Sequence, residues 1–90
     1  METKNSRVAL ISLVVEDQEA SEQINAALHA HAHRIIGRMG LPYPKRGLSL
    51  ISVAIDAPAE EIAALTDALG AIPGVSSRTV FSRPDEETQA

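Results

Sequence analysis

The stretch "LISLVVED", residues 10–17, returns forty residues later as "LISVAIDA", residues 50–57. Both copies are rich in β-branched residues, which favour strands. The same offset superposes two further pairs, Ile35 with Val75 and Arg38 with Arg78. The chain therefore repeats one structural unit, and each copy of the unit begins with a strand.

Each repeated strand precedes a segment with helical periodicity. Residues 16–33 place apolar side chains on one side of a helix: Ala20, Ile24, Ala27, Leu28 and His31. Asp17 is suited to cap this helix. Pro58 suits the first position of a second helix, whose apolar stripe is Ile62, Leu65 and Leu69 and which ends at Gly70. The pattern predicts two amphipathic helices.

The remaining segments complete two strand–helix–strand units. We expect a strand over residues 34–40, a loop over 41–47, a third strand over 48–56 and a fourth over 75–82. The order βαββαβ is typical of the ferredoxin-like α+β fold, a four-stranded antiparallel sheet in the order 4-1-3-2 with both helices on one face. Residues 7–82 should form one domain, between a flexible amino terminus over 1–6 and an acidic, disordered tail over 83–90.

The two repeated strands are apolar at successive positions, so neither has a polar side. In the first strand Ile11 and Leu13 alternate with Leu10 and Val14, and the third strand has the same character. Two helices cover only one side of such a sheet, and a side left in water should be polar. A second copy of the chain is the simplest cover, so we expect a homo-oligomer, at least a dimer.

Composition narrows the classes of function. The formal net charge is −4 and only Tyr43 and Phe81 are aromatic, which argues against nucleic-acid binding. The chain has no cysteine, which excludes disulfides and thiolate metal sites. No apolar run approaches the length of a membrane helix, and the first residues do not resemble a signal peptide. We therefore expect a cytoplasmic protein with no membrane partner.

Three segments carry a family resemblance: "IIGRMGLPY" (35–43), "RGLSLISVAIDAP" (46–58) and "LGAIPGV" (69–75). Together they resemble small proteins named as regulators of the iron-only hydrogenase system, over roughly residues 7–82. The resemblance implies an ACT-like version of the ferredoxin-like fold, similar to the effector-binding domain of nickel-responsive ribbon-helix-helix repressors. It also implies an association with [FeFe]-hydrogenase maturation, and with it a maturation protein as a partner.

Two features of the nickel repressors do not transfer to this sequence. Their DNA-binding arm precedes the effector-binding domain, whereas six residues precede the first predicted strand here. Their nickel site uses several histidines and a cysteine, and this chain has no cysteine. We therefore expect neither direct DNA binding nor a resident metal or other cofactor.

The histidines leave two interpretations. His29 and His33 are spaced as one helical pair that could hold a metal, with Glu22 farther along the same side. A metal needs three or four ligands, however, and this spacing offers two, so we expect solvated histidines at a helix end. His31 should be partly buried and bonded to a carbonyl.

The basic segment also leaves two interpretations. Four of the eight basic residues lie between positions 34 and 46, beside a tyrosine and two glycines. Guanidinium groups and free amides bind anions, so an anionic small-molecule effector is one possible occupant. The predicted ligand-binding residues are Arg38, Gly40, Tyr43, Lys45 and Arg46. The other interpretation is a solvated hairpin whose charges pair weakly.

The chain lacks the common motifs of catalysis, and its carboxylates lie mainly at helix starts and in the tail. We therefore expect no enzymatic activity. The sequence and the resemblance together predict a regulatory or ligand-sensing module. The alternative is a structural or assembly partner of a maturation protein that binds no small molecule.

Overall fold

The computed structural model describes residues 6–83, which form four strands and two α-helices. Their order is β1 (Ser6–Val15), α1 (Ser21–His29), β2 (Ile35–Tyr43), β3 (Leu48–Pro58), α2 (Ala59–Gly70) and β4 (Val75–Phe81). The strands form one antiparallel sheet in the order β2-β3-β1-β4. This is the predicted order 4-1-3-2 counted from the opposite edge, so the predicted α+β fold and topology are confirmed.

The sequence repeat coincides with a local two-fold relation at the centre of the sheet. Strands β1 and β3 pair along their whole lengths, and Ser12 lies directly opposite Ser52, its own equivalent in the repeat. Val75 of β4 pairs with Val15, just as Ile35 of β2 pairs with Ile55. The two halves of the chain therefore build the two halves of the sheet.

Both helices cover the side of the sheet that carries the odd-numbered residues of β1 and β3. Ile11 and Val53 are fully buried there, against the apolar stripes of the helices. The core consists of Ala9, Ile11, Leu13, Val15, Ala20, Ile24, Leu28, Val53, Ile55, Ala57, Ile62, Leu65, Leu69, Ile72 and Val75. Each large aliphatic member contributes roughly 1.5–3 kcal/mol of burial free energy. The structure thus identifies the helix-facing side, which the sequence left undecided.

Strand β2 is longer than the sequence suggested. It continues through Pro42 to Tyr43, so the predicted loop over 41–47 shrinks to a 3-10 turn, Pro44–Arg46, closed by Gly47. Gly47 has a φ of 67°, which a glycine adopts without strain. Proline is tolerated in β2 because β2 is an edge strand, which has backbone groups that need no strand partner.

Helix α1 is shorter than predicted and ends at His29, and a separate 3-10 turn, Ala32–Arg34, leads into β2. Asp17 acts as a cap, but of the preceding 3-10 turn: its Oδ1 accepts a hydrogen bond from the Glu19 amide at 2.9 Å. Pro58 precedes α2 as its N-cap residue and is not its first helical position.

A β-bulge interrupts the pairing of β2 with β3. Ile35 pairs with Ile55, but Gly37 pairs with Ala54, so Ile36 is one extra residue on β2. If the pairing continued from Ile35 without the bulge, Arg38 would lie opposite Ser52, as its repeat equivalent Arg78 lies opposite Ser12. Because side chains alternate along a strand, the bulge turns Arg38 to the helix side of the sheet.

The ends of the chain test the predicted boundaries only in part. Ser6 already belongs to β1, one residue earlier than the expected start of the domain. Residues 1–5 and 84–90, on which the predicted flexible terminus and most of the predicted acidic tail fall, lie outside the described residues. Within residues 6–83, no helix has the length and apolar character needed to cross a membrane.

Candidate functional site

One candidate surface is the side of the sheet turned away from the helices, here called the open face. Its large apolar side chains are 37–70 % exposed: Val8, Leu10, Val14, Met39, Leu41, Leu50 and Val80. They come from all four strands, so they form one continuous surface. A shallow hollow of about 470 Å³ lies on this face over β1, β2 and β3. Large continuous apolar patches of this kind mark interaction sites.

A row of four cross-strand neighbours, three of them polar, crosses the centre of the open face. The cross-strand neighbours in this row are Met39, Ser52, Ser12 and Arg78. Asp56 lies four residues beyond Ser52 on β3, opposite Val8 and near the end of the sheet. The described part of the open face therefore carries one cation and one anion, and its charge is balanced.

The structure divides the five predicted ligand-binding residues among three places. Arg38 and Gly40 lie on the helix side of β2, whereas Tyr43 lies on the open face opposite Leu48. Lys45 and Arg46 lie in the 3-10 turn beyond the end of the strand. The described residues therefore form no single pocket that contains all five, and their role in binding stays a prediction.

A second candidate surface is the cleft between α1 and the helix side of β2, here called the α1–β2 groove. Arg38 crosses it, and its Nη1 donates a hydrogen bond to Asn25 Oδ1 at 3.0 Å. A hollow of about 120 Å³ lies on one side of Arg38, lined by Val15, Gln18, Ser21, Ile24, Asn25, Ser49 and Ile51. A wider hollow of about 360 Å³ lies on the other side, lined by Asn25, Leu28, His29, Ala32 and Ile35.

Sequence reasoning identified Arg38 as a candidate but missed its neighbours in the groove. Gln18, Ser21 and Asn25 come from the start of the first helical segment, and Ser49 comes from β3. No local motif connects these positions, and the bulge that turns Arg38 toward them has no evident signal in one sequence. The repeat gives no clue either, because Ile35 with Val75 and Arg38 with Arg78 have the same offset of forty although the two arginines face opposite sides of the sheet.

His31, Arg34 and Glu61 form a small polar cluster that joins the end of α1 to the first turn of α2. His31 Nδ1 lies 2.8 Å from Glu61 Oε2, and Arg34 Nε lies 3.3 Å from Glu61 Oε1. The hydrogen bond to His31, with the positive charge of Arg34 beside it, lowers the pKa of Glu61 against an opposing effect of burial. His31 is partly buried as predicted, but its partner is this carboxylate and not a carbonyl.

The histidine pair differs from the helical pair that the spacing suggested. His29 is the last residue of α1, whereas His33 lies in the following 3-10 turn, and both are exposed. Among residues 6–83, no cluster of three or more His, Cys, Asp or Glu side chains is placed to hold a metal ion. The expected absence of a resident metal stays a prediction.

Comparison with known proteins places this geometry in a family. Residues 7–79 match the TM1266-like family model, described as "Iron-only hydrogenase system regulator, putative". Among solved structures, the uncharacterized protein TM1266 from Thermotoga maritima is similar, with a TM-score of 0.82 and 29% sequence identity over 87% of this chain and 99% of that chain. No curated protein sequence matches the chain. Because the family model spans most of its length, this chain belongs to the TM1266-like family of iron-only hydrogenase system regulators.

Proposed function

We propose that the protein is a non-enzymatic regulatory module of the iron-only hydrogenase system, which acts as a homo-oligomer joined through the open face. The exposed apolar surface of the sheet is the observation that carries this proposal. Leu10 and Met39 are 47 % and 70 % exposed in the single chain, although both are side chains that proteins normally bury. The family description supports the regulatory role.

The size of the open face suits a second copy of the chain. Four strands spaced ~4.8 Å apart and about ten residues long offer on the order of 600 Å² per copy. A standard protein interface buries about 800 Å² per partner. The face also carries balanced charges, Arg78 and Asp56, so two identical faces approach without net repulsion.

We further propose an ACT-like mode of action, in which a small anionic effector binds the domain and adjusts its interactions. The proposed module works in the cytoplasm and does not bind duplex DNA directly, since it is acidic and its cations are dispersed over several surfaces. The rival function is that of an assembly partner which binds a maturation protein through the same apolar face and takes no small molecule. A metabolite screen by thermal shift separates the two, because a ligand of the native state raises the melting temperature.

Sedimentation velocity tests the role of the open face. The wild-type protein should sediment as a dimer or larger at high micromolar concentration, and Leu10→Glu should sediment as a folded monomer because it places a charge in the interface. Ala63→Glu is the matched control, since it adds the same charge to an exposed position of α2. This control should sediment like the wild type.

Two results would contradict the proposed oligomer. The first is a wild-type protein that is monomeric at high micromolar concentration with its far-ultraviolet circular dichroism intact. The second is a Leu10→Glu variant that keeps the wild-type mass. A comparison with Ile11→Glu checks the assignment of sides, because Ile11 is fully buried against the helices and its replacement should unfold the domain.

A further inference from the structure

We propose that the α1–β2 groove is a binding site for a small carboxylate, with Arg38 as the residue that holds the carboxylate group. The proposal rests on the ligand-sensing part of the proposed function and makes it more specific. It places the effector site in the groove and not at the basic turn with Lys45 and Arg46. It rests on the direction in which Arg38 is turned, on the chemistry of the residues around it and on the size of the hollow beside it.

The bulge at Ile36 is what brings Arg38 into the groove. Continuous pairing would place Arg38 opposite Ser52 on the open face, in the position that Arg78 occupies beside Ser12. The one extra residue reverses this, and the guanidinium extends toward α1, where it meets Asn25. Bulges commonly serve to redirect a side chain at a functional position.

The lining of the groove suits an anion with a short apolar portion. Its polar residues are neutral hydrogen-bonding side chains, among them Ser21, Asn25 and Ser49, and its floor is aliphatic. His29 lines the hollow on the other side of Arg38. No carboxylate side chain is among the residues that line either hollow, so nothing in the lining competes for the guanidinium.

Arg38 retains most of its hydrogen-bonding capacity. A guanidinium has five N–H donors in a planar fork, which matches the two oxygens of a carboxylate. Within residues 6–83, the side chain of Arg38 has one hydrogen bond, to Asn25, and no ion pair. The arginine is therefore held by Asn25 in the groove while its other donors remain for a ligand.

The size of the hollow limits the ligand to a small molecule. A volume of about 120 Å³, at roughly 10–15 Å³ for each water-sized group, accepts a molecule of up to about ten non-hydrogen atoms. The apolar floor of Val15, Ile24 and Ile51 favours a short hydrocarbon portion next to the carboxylate. A short-chain or amino-acid-sized carboxylate has both features, and propionate is the simplest probe.

Nuclear magnetic resonance titration of the full chain with sodium propionate tests the proposal. The Arg38 side-chain Nε–H signal and the backbone amides of Ser21 and Ser49 should shift together and saturate, with a dissociation constant on the order of 1 mM. Propionamide, the neutral analogue, should produce no saturable shift. Sodium chloride at the same ionic strength controls for screening.

Two matched variants assign the effect to the guanidinium. Arg38→Gln should weaken propionate binding by about tenfold or more, because it removes the charge-assisted hydrogen bonds. Arg83→Gln removes the same charge from an exposed position beyond β4, outside the groove, and it should bind like the wild type. Circular dichroism of both variants confirms that they remain folded.

Several outcomes would overturn the proposal. These are the absence of saturable shifts in the groove, equal binding of propionate by Arg38→Gln, or a groove that takes inorganic phosphate and leaves propionate unbound. The result is independent of the oligomer, since the groove and the open face lie on opposite sides of the sheet. A monomer that binds propionate in the groove would refute the proposed oligomer and support the carboxylate site. A dimer that does not bind propionate would support the oligomer and refute the site.

Discussion

Glu61 connects the two helices through its contacts with His31 and Arg34, and its contribution to stability depends on pH. Its pKa is lowered from the ordinary value of 4.5 by the hydrogen bond to His31 and the charge of Arg34. A carboxyl whose pKa is lower in the folded state stabilises the fold above its unfolded pKa. That stabilisation is lost as the pH falls below 4.5 and then through the lower pKa that Glu61 has in the folded protein.

We therefore predict that Glu61→Gln lowers the free energy of unfolding near neutral pH by about 0.5 kcal/mol, the magnitude of a partly exposed ion pair. The difference from wild type should be smaller at about pH 3 than at neutral pH, because the wild-type carboxyl becomes protonated as the pH falls. Urea unfolding of the wild type and the variant, at neutral pH and at about pH 3, measures the difference in the free energy of unfolding. Glu22→Gln, which changes an exposed carboxylate of α1, is the control. A difference that is equal at both pH values would exclude the cluster as its cause.

Gly74 is the glycine whose replacement should cost most. Its φ is 82°, and a Cβ added there would lie 2.5 Å from the Cβ of Asp17, in the turn that leads from β1 to α1. The Glu16 amide also donates a hydrogen bond to the Gly74 carbonyl at 2.7 Å, so the two turns are held together.

Gly74→Ala should therefore destabilise the protein by roughly 2–4 kcal/mol, through backbone strain and the steric conflict together. Gly40→Ala is the matched control, because nothing lies within 4 Å of its added Cβ and its φ is not positive. That control should change stability by no more than about 1 kcal/mol. Thermal unfolding followed by circular dichroism compares the two variants. An equal loss of stability in both would contradict the explanation by strain and steric conflict at Gly74.

At the level of elements, the sequence was most informative where periodicity and repetition agree. The forty-residue repeat identified β1 and β3 as equivalent strands, and the structure pairs them at the centre of the sheet. Boundaries were less accurate where local signals compete with tertiary pairing. Pro42 read as part of a loop, yet pairing with Ser49 of β3 keeps it inside β2.

The candidate site could be predicted only in part, for a related reason. Arg38 was identified from its charge, but its neighbours Asn25 and Ser49 belong to other elements and are brought near it by folding. The side on which Arg38 lies depends on the bulge at Ile36, which changes the face of a strand without changing its composition. One sequence contains no measure of such a register shift.

At the level of the whole molecule, the apolar open face links association to stability. If the native state is a dimer, unfolding also separates the subunits, and mass action makes the melting temperature depend on protein concentration. The sequence predicted that one apolar side of the sheet is left uncovered by the helices. The structure shows that the even-numbered side chains of β1 and β3 lie on this side.

We predict that the melting temperature of the wild-type protein rises as the protein concentration increases from low to high micromolar. Differential scanning calorimetry should show this rise for the wild type and for Ala63→Glu, and a constant melting temperature for Leu10→Glu. A melting temperature of the wild type that does not change over this range would exclude coupled dissociation and unfolding.

The bulge at Ile36 has a consequence for how the two halves of the repeat can differ. Ile35 and Arg38 are as far apart in the chain as Val75 and Arg78 are, so no residue has been inserted between them, yet the bulge presents Arg38 to the helices and regular pairing presents Arg78 away from them. A shift of one residue in the pairing exchanges the two sides of the sheet for every position that follows it in the strand. Equivalent arginines in the two halves can thus serve different surfaces of the molecule through a difference in strand pairing.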